Sequence, residues 1–352
     1  MDPTDTADQN PQPWSGDALQ LARGLMMGGA DIVPGVSGGT VALILGIYER
    51  LVTALSHFDL KLFELLASRR WRKAVAHVDL RFLVALGGGI VIGVGSLAKL
   101  MNYLLLHQPV PTWSLFFGLI LASAILVARM IERWSAATAL LLVAGAWFAW
   151  WLVGQTPADA SGSYAYLFFT GAVAICAMIL PGISGAYIML IMGQYEHVTG
   201  KISQLVDGLR LIFAGNLSGA ADHITADTLL TLILFALGCA VGLLSFSKLL
   251  RWLLARHEAL TMAVLCGFMF GSLRKIWPFK KDLTPEIEDL KHKLFTNTFP
   301  KQFDGEVVLA LLLAIGAIVF VLAVDWWVRG GRFVPPLKSQ DHATVAERET
   351  GA

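Results

Sequence analysis

The chain has 352 residues, a net charge of +1, 56% hydrophobic and 15% charged residues, and a mean hydropathy of +0.63. This composition is that of an all-α polytopic membrane protein and gives no sign of nucleic-acid binding, since no basic run sits on a soluble domain. Cys176, Cys239 and Cys266 lie in apolar segments, and an odd number without C-x-x-C spacing argues against a disulfide framework and against a metal site.

Residues 1–16 are polar and acidic and lack the basic start and apolar core of a signal peptide, so they read as a disordered tail. Gly24–Val33 is apolar, Pro34-Gly35 breaks the helix, and Val36–Glu49 resumes it, which predicts a broken or re-entrant hairpin over 17–56. His57–Arg81 carries Lys61, Arg69, Arg70, Arg72, Lys73 and Arg81 and is placed in the cytoplasm by that excess. Spans follow at 82–106 and 112–131, then a linking span at 136–154 with Trp147, Trp150 and Trp151 near its exit.

A second hairpin is expected over 164–199, broken at Pro181-Gly182, then a polar connection at 199–227. Spans at 229–250 and 259–277 come next, then a charged loop at 278–305, a last span at 306–328 and a disordered tail at 335–352. Both termini are expected in the cytoplasm.

The chain repeats itself. Val33–Leu51 aligns with Leu180–Val198 at a spacing of 147, with nine of nineteen positions identical, among them Pro34/Pro181, Gly35/Gly182, Ser37/Ser184, Gly38/Gly185, Tyr48/Tyr195 and Glu49/Glu196. At a spacing of 149 the match continues through Gly89/Gly238, Gly93/Gly242, Ser96/Ser245, Lys99/Lys248, Thr112/Thr261 and Gly118/Gly267. The first repeat therefore covers 17–135 and the second 164–277, each a hairpin and two spans. If the Pro-Gly elements turn back, three spans separate the copies and the second is inverted, as in many secondary transporters. If each element crosses fully, the copies are parallel. The hairpin is preferred, because each half is long enough to reach mid-membrane and return. It places the Lys-rich loop of 274–301 outside, against the usual bias.

Irregular backbone at membrane depth is tolerated where it is buried in protein or lines a cavity, so the two breaks are expected to share a polar site. Ser37, Gly38, Gly39, Thr40, Ser184 and Gly185 are the candidate anion-binding residues, through hydroxyls and closely approached backbone N–H groups. The bland alternative is a kink whose serines merely cap it. Asp31 is an intramembrane carboxylate whose counterpart is Met178; it is a candidate to couple a proton or ion, or else an N-cap or a partner of Arg23. Tyr48, Glu49, Tyr195 and Glu196 end the hairpins as candidate gates or proton carriers, or as interfacial ends. Lys99 and Lys248 are candidates to attract an anionic headgroup, or else they snorkel. No P-loop, metal-ligand motif or nucleophile elbow is present, so neither catalysis nor a cofactor is expected.

The run Gly28-Gly29-Ala30-Asp31-Ile32-Val33-Pro34-Gly35-Val36-Ser37-Gly38-Gly39-Thr40, ending in Gly46-Ile47-Tyr48-Glu49, resembles the signature of the PopT family of bacterial polyprenyl-phosphate transporters. Leu180-Pro181-Gly182-Ile183-Ser184-Gly185 in the second half resembles it too, and the similarity runs from about Leu21 to Arg329. The resemblance implies return of undecaprenyl phosphate from the outer to the inner leaflet of the bacterial plasma membrane. Its implied partners are that lipid and the surrounding bilayer, and Asp31 adds a proton or sodium ion as the expected coupling partner. Two other classes stay open: an ion-coupled transporter of a small soluble anion, and a lipid phosphatase.

Overall fold

The computed structural model describes residues 14–32, 37–131, 133–156, 163–284, 286, 295–300 and 302–328. The hairpin-break residues Pro34 and Gly35 and the tail at 335–352 lie outside the described residues.

The first half opens with α1 (Trp14–Asp31), then the short α2 (Gly38–Ile44) and α3 (Tyr48–Ser56). Helix α3 is bent from α2 by 120°. The bend is made at Gly46, which has φ +67, while the Ile47 amide reaches back to the Ala42 carbonyl and the Gly46 amide to Leu43. This is a helix C-terminus closed by a left-handed glycine. The second half builds the same bend between α10 (Gly185–Ile191) and α11 (Tyr195–Phe213). There Gly193 also has φ +67, with Gln194 reaching Met189 and Gly193 reaching Leu190. Each residue is the 147-spaced equivalent of its counterpart, so the repeat is one of backbone geometry as well as of letters.

Between α3 and the next span lie two short helices, α4 (Leu60–Ala67) and α5 (Trp71–His77). They expose Leu60, Phe63 and Trp71 beside their lysines and arginines, which suits helices lying in the membrane interface. The polar connection expected at 199–227 is built of helix: α11 continues to Phe213 and α12 covers Leu217–His223. Its composition hides this, because Ile202, Val206, Leu209 and Phe213 fall at helical spacing on one exposed apolar face among polar residues.

Helix α6 (Leu80–His107) packs along α1, and α13 (Ala226–Arg256) packs along α9 (Tyr164–Ile179) in the same way. Glycines set the approach. A Cβ on Gly89 would run into the Leu21 carbonyl and one on Gly93 into Leu25, while Gly238 and Gly242 meet Phe168 and Ala172. These are again equivalent positions, and small residues at the seam are how helices come close in lipid. Helix α7 (Pro109–Arg129) follows α6 after Gln108 alone. The connection left between the expected spans at 82–106 and 112–131 shrinks because Pro109 and Pro111 fit a first helical turn, where no N–H is needed. Helix α14 (Glu258–Ser272) follows α13 after His257 in near-identical backbone geometry.

The last helix of each half crosses to the other half. Helix α8 (Ala136–Leu152) packs on α14, and α15 (Gly305–Val328) packs on α7. Leu140, Val143, Ile233, Leu312 and Phe320 stand exposed on the outer surface, as residues facing lipid tails would. Among the described residues four helices are long and apolar enough to cross a membrane and three shorter apolar helices accompany them, so this is a multi-pass α-helical membrane protein.

Polar contacts sort the connections to two ends. At one end Arg251 bonds the Ser56 hydroxyl (3.1 Å), Arg50 pairs with Asp79 (2.7 Å) and Arg81 with Asp17 (2.6 Å). At the other, Arg274 bonds the Trp150 carbonyl (2.9 Å), the Tyr187 hydroxyl bonds the Val153 and Gln155 carbonyls (2.9 and 3.0 Å), and Trp277 sits edge-on to Phe117.

Candidate functional site

The two breaks meet. The Ser37 hydroxyl donates to the Leu180 carbonyl (3.2 Å) and, more weakly, to Met178 (3.4 Å). The Gly182 amide donates to the Thr40 hydroxyl oxygen (2.9 Å). Gly39 lies against the Ile179 carbonyl with no room for a side chain. Ser37 and Thr40 are each only 1% exposed, so these bonds form away from solvent.

Local chemistry explains the arrangement. Ser37 is the N-cap of α2 and accepts from the Gly39 amide (3.2 Å), and Asp31 accepts from the Gly38 amide (2.6 Å). A carboxylate at this position satisfies an N–H that a helix start leaves over. Asp31 is thus a cap of α2, and Arg23 bonds Gln20 (3.2 Å) instead of Asp31. In the second break Leu180 is extended (φ −71, ψ 130) and Gly182 takes φ +85, a conformation that side-chain residues rarely adopt. That twist turns the Gly182 N–H toward Thr40.

The two copies are therefore unequal. Ser37 and Thr40 reach across to the second break. Ser184, the N-cap of α10, makes no side-chain cap bond, and Gly185 packs against Ala174 of α9. The equivalent of Thr40 is Tyr187, which points away to Val153 and Gln155.

The other sequence candidates lie elsewhere. Tyr48 is buried with its hydroxyl unbonded among the described residues, and Glu49 stands in the first turn of α3. Tyr195 and Glu196 begin α11. Lys99 and Lys248 are exposed along α6 and α13. Among the described residues no group of three or more metal-ligating side chains occurs.

Sequence reasoning passes over Arg274, Lys275 and Lys280. Their signal is present nonetheless: they are basic residues on a loop assigned to the outside, where basic residues are scarce.

Two discontinuous helical elements that bond one another inside an apolar helical bundle define an α-helical membrane protein. The chain belongs to the undecaprenyl phosphate translocase-like family, whose model matches residues 27–294. It is 37% identical over 312 residues to a polyprenyl-phosphate transporter of Vibrio cholerae serotype O1, covering 86% of this chain and 94% of that one. It is 30% identical over 274 residues to a polyprenyl-phosphate transporter of Staphylococcus aureus, covering 74% of this chain and 86% of that one. No solved structure matches the chain at a significant level.

Proposed function

We propose that this protein transports polyprenyl phosphate and, more specifically, carries undecaprenyl phosphate from the outer to the inner leaflet of the bacterial plasma membrane. The family and its two relatives support the lipid class. The observation that carries a mechanism is the bonded crossing of the two breaks.

In this conformation the hydroxyls of Ser37 and Thr40 are engaged with the backbone of the second break, and the Gly38 amide is engaged with Asp31. The crossing is closed. A phosphate entering it offers acceptor oxygens to the same hydroxyls and amides, so each internal bond can be exchanged for one to substrate. Exchange of that kind loosens the two halves as the headgroup is held, which is the coupling that alternating access requires. The prenyl chain stays in lipid beside the exposed apolar faces. Asp31 is the group placed to register the arrival of an anion, because it occupies an amide that the phosphate would take; loss of that contact is the step at which a proton or sodium ion enters the cycle.

The inverted arrangement of the repeats belongs to this reading. It is supported by the two-ended sorting of contacts, with Arg251 beside Ser56 at one end and Arg274 beside Trp150 at the other. The end holding the Arg251 contact is then cytoplasmic.

The test is the surface pool of undecaprenyl phosphate in cells with and without the protein, read by sensitivity to an antibiotic that binds the exposed lipid phosphate. Deletion should raise surface lipid, and a Ser37→Ala, Ser184→Ala variant should fail to restore it. Unchanged surface lipid in cells lacking any second carrier would refute the proposal.

A further inference from the structure

After α14, residues 273–284 and 295–300 fold back over the end of the molecule that carries Trp150, Tyr187 and Trp113. It is held by the β1 (Lys280–Asp282) and β2 (Phe295–Asn297) pair, by Asn297 bonding the Arg274 carbonyl (2.7 Å) and by Trp277 bonding the Thr298 carbonyl (2.9 Å). Ile276 within it is wholly buried. This is a built segment, and it brings three cations together.

Lys280 lies with its ammonium 3.4 Å from the centroid of the Trp113 ring and donates to the Lys275 carbonyl (2.7 Å). Lys275 lies over Tyr187 at 4.3 Å, and the Arg274 guanidinium lies over Trp150 at 4.1 Å. Among the described residues no carboxylate forms an ion pair with any of the three. An ammonium has three donors. Lys280 uses one of them, and Lys275 none on an oxygen of the described residues.

This arrangement is costly as it stands. Burying a cation away from water is unfavourable unless an opposite charge and hydrogen bonds replace the solvent, and an aromatic face compensates only in part. Burial, followed by repulsion from Arg274, pushes Lys275 down to about 8, and burial with repulsion from Lys275 holds Lys280 well below the ordinary lysine value. Among the described residues no anion stands beside them to offset that cost.

We propose that Arg274, Lys275 and Lys280, walled by Trp113, Trp150 and Tyr187, form a binding site for a phosphate monoester group, distinct from the crossing of the two breaks. The unfilled donors of Lys275 and Lys280 match the several acceptor oxygens of such a group, and its charge of nearly two at neutral pH answers two ammoniums. The site is joined to the crossing through α10, which starts at Ser184-Gly185 and carries Tyr187 under Lys275 one turn later. It also accounts for basic residues on a loop that the orientation rule would keep neutral: they serve a ligand and do not report topology. The site rests on the transport reading only for the identity of its natural ligand, a lipid phosphate waiting to enter; free phosphate has the same chemistry.

The test is calorimetric titration of the purified full chain in detergent at pH 7 with inorganic phosphate and, separately, farnesyl phosphate, with phosphatidylglycerol as a diester control. Wild type should bind a monoester, and Lys275→Met, Lys280→Met should bind at least about tenfold more weakly. Because the methionines remove buried charge, that variant should melt no lower than wild type. If it does not fold, Lys275→Gln carries the comparison, and Lys280→Arg should retain binding. Binding of both inorganic phosphate and farnesyl phosphate marks a site for the phosphate group itself, and binding of farnesyl phosphate alone marks a lipid headgroup site. Equal competition by phosphatidylglycerol, unchanged affinity in the lysine variants, or no binding of either probe overturns the proposal. The two readings fail separately: lysine-dependent binding without lipid movement retires transport and keeps the site, whereas lipid movement without lysine-dependent binding retires the site and keeps transport.

Discussion

Thr40 accepts a 2.9 Å hydrogen bond from the amide of Gly182, 142 residues further along the chain, and both groups are buried. One side-chain oxygen of the first repeat thus satisfies the backbone of the second at its break. Thr40→Val keeps the shape and removes the acceptor, leaving a buried N–H without a partner. That should cost about 1–3 kcal/mol and lower the melting temperature in detergent. Thr40→Ser should recover most of the loss. Equal melting of the valine and serine variants would show that the bond contributes nothing.

Asp31 is bonded to the Gly38 amide at 2.6 Å. Asp31→Asn keeps an oxygen for that amide and removes the charge, while Asp31→Ala removes both. The account expects both variants to lose dependence of transport on an ion gradient, and only the alanine variant to lose about 1 kcal/mol of stability as well. Full gradient-dependent transport by the asparagine variant would leave Asp31 as a cap and nothing more.

The glycine seams give a paired prediction. Gly89 and Gly238 each face a carbonyl of the neighbouring helix, whereas a Cβ on Gly87 meets open space. Gly89→Ala and Gly238→Ala should each destabilise the protein by roughly 1–3 kcal/mol, through forced separation of α1 from α6 and of α9 from α13. Gly87→Ala should be neutral or slightly stabilising, since alanine is the better helix former. Thermal melts of the three single variants decide the matter.

Lys275 supplies a pH dependence with a definite sign. Its folded value of about 8 lies below the ordinary 10.5, so between those limits the unfolded chain holds more protons and stability rises with pH. Below about pH 8 the ammonium, beside Arg274 and Lys280 and over Tyr187, opposes folding, and a bound phosphate offsets it. Stabilisation by phosphate should therefore be largest near pH 7 and decline above pH 8. Binding near pH 8.5 should take up protons, measurable by titration in buffers of different ionisation enthalpy. Phosphate stabilisation that is flat from pH 7 to 9.5 would contradict this.

Much of this is legible in the letters. Pro34-Gly35 and Pro181-Gly182 announce the breaks because a helix cannot absorb them. The matched glycines show as a second alignment because only glycine lets the carbonyl of a neighbouring helix press against its backbone. What is not legible is long-range partnership. That Ser37 bonds Leu180, and that Thr40 bonds Gly182 while Tyr187 turns away, depends on how two distant segments dock, and local spacing carries no trace of it. The surface helix α11 hides because interfacial helices mix polar and apolar residues as loops do. Lys275 and Lys280 hide because a charged loop reads as solvated until its fold places them over Tyr187 and Trp113.

The most direct measurement of the central claim is lipid movement in vesicles of phosphatidylethanolamine and phosphatidylglycerol carrying the purified protein and a fluorescent polyprenyl phosphate. A membrane-impermeant quencher reports the share exposed outside. Wild type should move the lipid between leaflets far faster than protein-free vesicles, and a Ser37→Ala, Thr40→Val variant that still folds should not. Movement no faster than in empty vesicles, under an imposed proton or sodium gradient of either sign, would contradict the account.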